Sequence, residues 1–132
     1  MNWLFNELQD FGFSDPTLIA AYEKNSGVNA LDEKEFLLNL GVSSEHTLIE
    51  LGSGTGILAL GAAKLCKKVY AVDVSKAMLD YAYTKIERAG VTNIVFIHQG
   101  FLTYEHKGEK ADFVVTRHAL HHLPDFWKVQ AL

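Results

Sequence analysis

Apolar and polar positions change their rhythm near residue 46. Before it, apolar residues recur at helical spacing: Leu4, Leu8 and Phe11, then Phe36, Leu37 and Leu40. A polar, turn-rich patch, NSGVNALDEKE, lies between the two groups. Asp32 followed by Glu35 has the form of a helix N-cap with its partner three residues on, and Gly41 is placed to close that helix. From Thr47 the chain alternates strand and helix. TLIEL is a short apolar run that stops at Gly52. Ile57 to Cys66 carries apolar residues at 57, 58, 61, 62 and 65, one helical face. VYAVD reads as a second strand. Ser75 caps a segment whose stripe is Met78, Leu79, Ala82, Ile86 and Ala89, ended by Gly90. IVFIH and DFVVT read as the third and fourth strands, and PDFWKVQAL as the start of another helix.

Strand, helix, strand, helix, strand, strand is the pattern of an α/β protein with a parallel sheet. Right-handed crossovers place the first strand inside the sheet with the second beside it. Strands apolar on both sides, such as FVVT, call for helices on both faces, a doubly wound arrangement. The expected organisation is a helical cap over residues 1–45 and an α/β domain over 46–132.

The 132 residues make about one domain. No run of about 18 apolar residues suggests a membrane span, and MNWLFNELQD lacks the basic start and apolar block of a secretory signal. The single cysteine, Cys66, rules out an internal disulfide, sits in an apolar stretch and fits a reducing, cytoplasmic setting. The net charge of −4 speaks against an extended nucleic-acid footprint, which needs a basic face.

Chemistry concentrates in Glu50-Leu51-Gly52-Ser53-Gly54-Thr55-Gly56, between a strand and a helix. Glycines there allow positive φ and let a ligand reach the backbone, and helix N-terminal amides favour a polar ligand. Asp73, at the end of the next strand, can accept from both hydroxyls of a ribose. Strand, glycine loop, helix, strand and acid together make an adenosine site, although the glycines alone would also suit a tight turn. A dinucleotide fingerprint wants Gly or Ala where Ile57 stands, which disfavours an NAD-dependent oxidoreductase.

The acid-x-Gly-x-Gly-x-Gly pattern resembles motif I of class I S-adenosylmethionine-dependent methyltransferases. VYAVDVSKAML is similar to that family's ribose segment, IVFIHQGFL to its adenine segment, and ADFVVTRHALHHLPD to its fourth-strand motif. The resemblance runs from Thr47 to Asp125. It implies a Rossmann-like sheet, S-adenosylmethionine as cofactor with S-adenosylhomocysteine as product, and methyl transfer to an acceptor, expected to be a small molecule. By position it implies that Gly52, Ser53, Gly54 and Gly56 line the methionine and ribose side and that Glu50 takes the amino group. Asp73 and Val74 would meet the ribose, and Met78 would pack on the adenine. Gly100 and Phe101 would border the adenine edge, with Phe101 standing where many members carry an acid. Arg117 and His118 would face the methionine portion, and Tyr22 would close over the cofactor.

His118 and His121–His122 lack a matching carboxylate at metal-ligand spacing, so no metal is assigned, and no catalytic base is named. Trp3, Phe5, Phe11 and Phe13 read as a core-facing stripe or as the cap of a substrate pocket. The family's sheet has seven strands in the order 3-2-1-4-5-7-6. The four here imply a fold truncated after the fourth strand, ordered 3-2-1-4, with an open edge suited to self-association. A non-enzymatic cofactor-binding fragment is the alternative to an active enzyme.

Overall fold

The structure is a computed structural model and describes residues 16–25, 27–100 and 103–116. Its elements are α1 (Pro16–Asn25), α2 (Ala30–Leu40), β1 (Thr47–Leu51), α3 (Ile57–Leu65), β2 (Lys68–Asp73), α4 (Lys76–Arg88), β3 (Ile94–His98) and β4 (Phe113–Val115). The strands form one parallel sheet in the order β3-β2-β1-β4. This is the expected 3-2-1-4 order, and it fixes where the helices go. The steps β1 to β2 to β3 move the same way across the sheet, so right-handed crossovers put α3 and α4 on one face. β4 returns to the far side of β1, so the chain between β3 and β4 crosses the opposite face.

Side chains alternate accordingly. Leu48, Val69, Ala71 and Val115 point to the helical face, where they pack with Leu58, Ala59, Ala62 and Ala63 of α3 and with Leu37 of α2. Burial of a side chain such as Leu48 or Val69, both fully buried, contributes on the order of 2 kcal/mol. Ile49, Tyr70 and Val72 point the other way and meet Tyr104 and Ala111. Among the described residues that second face carries the 103–111 segment and no helix, so the doubly wound expectation is visible there on one face.

Two boundaries differ from the sequence reading. The N-cap of α2 is Asn29, not Asp32: Asn29 has extended backbone, and its side chain accepts from Asp32 N–H at 2.9 Å. Asp32 therefore sits inside the first turn, where its negative charge suits the helix dipole. β4 starts one residue later than DFVVT suggests and stops before Thr116. Asp112 brackets Thr47 instead, its carboxylate accepting Thr47 N–H at 2.8 Å and its own N–H donating to Thr47 O at 2.8 Å. Gly41 and Gly90 end their helices in the left-handed region, as glycine at those places should.

Candidate cofactor site

The sheet order reverses between β1 and β4, and the crevice at such a point lies at the strands' C-terminal ends. The glycine loop leaves β1 there. Glu50, its last but one strand residue, is buried. The loop is tied to β2, with Gly52 N–H and Ser53 N–H both donating to Val72 O, at 2.7 and 3.0 Å. Gly52, Gly54 and Gly56 all have positive φ, of 78°, 56° and 86°.

The three glycines meet different demands. A Cβ on Gly54 would find nothing within 4 Å, so its bare α-carbon faces open space at the loop's tip. A Cβ on Gly56 would lie 2.9 Å from Ala82 Cβ and 3.3 Å from Ile86 Cδ1. Gly56 therefore lets the start of α3 sit tightly on α4, a packing role the sequence pattern does not reveal.

Asp73 ends β2, buried to 8% exposure. One carboxylate oxygen accepts Gly54 N–H at 2.7 Å and the other accepts Ser75 N–H at 2.8 Å. The acid thus joins the glycine loop to the start of α4. A carboxylate can accept more than one hydrogen bond per oxygen, the chemistry that ribose hydroxyls call for. Ser75 caps α4 by accepting Met78 N–H at 3.2 Å, and Met78 is buried beneath it. Val74 is half-buried, and its carbonyl lies 2.8 Å from His98 Nε2, which ties the end of β3 to the loop after β2. The sequence offered no relation for His98. The signal was the register, since His98 pairs with Asp73 across the two strands.

Gly100 is buried and opens a turn: its N–H donates to Thr103 Oγ1 at 3.1 Å and its carbonyl accepts Tyr104 N–H at 3.0 Å. Glu50, Gly52, Ser53, Gly54, Gly56, Asp73, Val74, Met78 and Gly100 thus gather on the segments at the C-terminal ends of β1, β2 and β3. Tyr22 lies on α1, with 39% of its surface exposed. Its neighbour Glu23 is held to α4 by Tyr81 Oη at 2.8 Å and Lys85 Nζ at 2.6 Å. Phe101, Arg117, His118, His121 and His122, with Trp3, Phe5, Phe11 and Phe13, lie outside the described residues. No group of three His, Cys, Asp or Glu able to hold a metal occurs among the described residues.

The residues present suit an adenosine-bearing ligand. Ser53 Oγ is buried and has no hydrogen-bond partner among the described residues, so a polar ligand group would satisfy it. Ile57 lines a groove on the helical layer together with Leu60 and Lys34.

A methyltransferase-domain family model matches residues 48–132. The chain belongs to that family. The solved structure of an S-adenosylmethionine-dependent methyltransferase from Aquifex aeolicus superposes with a TM-score of 0.71 at 24% identity, covering 86% of this chain and 62% of that one. An uncharacterised protein of Methanocaldococcus jannaschii is 43% identical over 74 residues, 56% of this chain and 28% of its own length. A ribosomal protein L11 methyltransferase of Alkaliphilus oremlandii is 40% identical over 75 residues, 56% of this chain and 24% of its own length. The chain spans less than half the length of these curated relatives. Its fold is the Rossmann-like one of the class I, S-adenosylmethionine-dependent methyltransferases.

Proposed function

We propose that this chain holds S-adenosylmethionine at the glycine loop and serves methyl transfer to a small-molecule nitrogen, oxygen or carbon nucleophile. The observation that carries the reading is the pairing of an open Gly54 with a buried Asp73 carboxylate 2.7 Å from its amide. When bound, the cofactor supplies an activated methyl group on a sulfonium. The chain's own residues bind and orient. Asp73 takes the ribose hydroxyls beside the Val74 backbone, Glu50 the amino group, and Gly52, Ser53 and Gly54 the methionine side. Gly56 holds α3 against α4 behind them. Met78 packs on the adenine, with Gly100 and Phe101 at its edge. Arg117 and His118 face the methionine portion, and Tyr22 closes over the site. Alignment of the acceptor with the methyl group supplies several kcal/mol without a dedicated base.

Support for a small acceptor is the net charge of −4. Matched proteins include methyltransferases named for protein and for RNA, so all three classes enter the test. Transfer of labelled methyl groups is measured against pools of small metabolites, peptides and RNA. Product in the first pool supports the proposal, and product in either of the others overturns the acceptor class. Saturable cofactor binding with no product in any pool supports a second reading, a non-catalytic binding module. A reducing, cytoplasmic setting is part of the same proposal, supported by the single cysteine, which leaves the chain without an internal disulfide; Cys66 is buried, and burial pushes its thiol pKa up. No helix among the described residues is long and apolar enough to cross a membrane.

A further inference from the structure

The helical layer carries a groove of about 590 Å³ bordered by α1, α2, α3 and α4, separate from the glycine loop's ligand-facing tip. Ile57, Leu60 and Leu65 give it apolar walls, and Gly61 lies among them. A glycine inside a helix weakens that helix relative to alanine. Nothing in the packing requires Gly61: an added Cβ would approach Leu37 Cδ1 at 3.9 Å, an ordinary contact. Gly56, one turn earlier, contrasts with it, because α4 blocks a Cβ there. The bare backbone at Gly61 therefore widens the groove for something that packs into it.

The charges at the rim narrow what that is. Lys34, Lys64 and Lys85 border the groove, and Glu23 offsets Lys85 at 2.6 Å. Lys34 and Lys64 have no ion-pair partner among the described residues. The groove thus asks for an apolar segment carrying acids. Residues 1–15, MNWLFNELQDFGFSD, have that composition, with Leu4, Leu8 and Phe11 at helical spacing, Glu7, Asp10 and Asp15, and no Lys, Arg or His. They join α1 at Pro16, and Glu23 of the same helix lines the groove, about 10 Å of helical rise away. A tether this short gives the segment a high effective concentration at the groove.

We propose that the groove receives the apolar stripe of residues 1–15 of the same chain, with Lys34 and Lys64 facing its acids. The proposal does not depend on the cofactor reading. It is tested in the full chain with Cys66→Ala, comparing disulfide formation in Leu8→Cys/Ala30→Cys, with Ala30 on the groove wall, with that in Leu8→Cys/Lys107→Cys. Lys107 follows β3, on the segment that crosses the opposite face. The first pair should close within one chain at least tenfold faster, and Gly61→Leu should remove that advantage. Equal rates, or bridges formed between chains, overturn the proposal. The second result would assign the groove to a second copy. A measurement that leaves Cys66 in place uses Trp3 as the reporter in a Trp127→Phe chain. Lys34→Glu/Lys64→Glu should raise acrylamide quenching of Trp3 at least twofold, and unchanged quenching overturns the proposal.

Discussion

Gly54 and Gly56 stand two residues apart in one motif and should respond oppositely to the same change. Gly54→Ala meets no steric neighbour and carries the left-handed backbone cost of about 1–2 kcal/mol. Its methyl group would project into the space given to the ligand, so cofactor affinity should fall at least tenfold in a folded protein. Gly56→Ala adds overpacking against Ala82, about 1–3 kcal/mol, to the same backbone cost. Urea unfolding with cofactor titration separates the two, and equal stability losses would contradict the assignment. Tyr81 gives a pH-dependent prediction. Its hydroxyl donates to Glu23, and this bond, followed by burial, raises its pKa above the ordinary tyrosine value. A raised folded value means the contribution is complete below the unfolded pKa, about 10, and lost as pH rises through the folded one. The stability advantage over Tyr81→Phe, about 1 kcal/mol at pH 8, should shrink above pH 10. A constant difference across that range would contradict the Glu23–Tyr81 link.

The elements that sequence made legible are those bounded by local chemistry. TLIEL matches β1 because an apolar branched run ends at a glycine that must turn. Ser75 is readable as a cap because it stands directly before the apolar stripe of its helix, and Ser75→Ala should cost about 1 kcal/mol in chemical unfolding. A loss indistinguishable from zero would contradict the cap. At α2 two good capping residues stand three apart, Asn29 and Asp32, and only the backbone geometry tells them apart. What sequence could not show depends on contacts between elements. His98 reaches Val74 through strand register, Gly56 answers to the approach of α4, and Asp73 reaches across to Gly54.

At the scale of the whole molecule, the sheet is asymmetric. One face is packed under α3 and α4, while among the described residues the other carries the 103–111 segment. Among the described residues β4 pairs on one side, with β1, and Val114 on it is 63% exposed. A strand edge beside an exposed apolar residue invites pairing. We therefore propose that this chain associates with itself through β4. Sedimentation should show a mass that rises with concentration, and Val114→Lys should reduce it. A monomer independent of concentration would contradict that edge as a contact.

The central claim is that Asp73 and the glycine loop form a cofactor site, and calorimetric titration with S-adenosylmethionine tests it most directly. Saturable binding is expected, weakened tenfold or more by Asp73→Ala, about 1.4 kcal/mol. A folded chain that binds no cofactor, or an Asp73→Ala chain that binds it as tightly, would contradict the account.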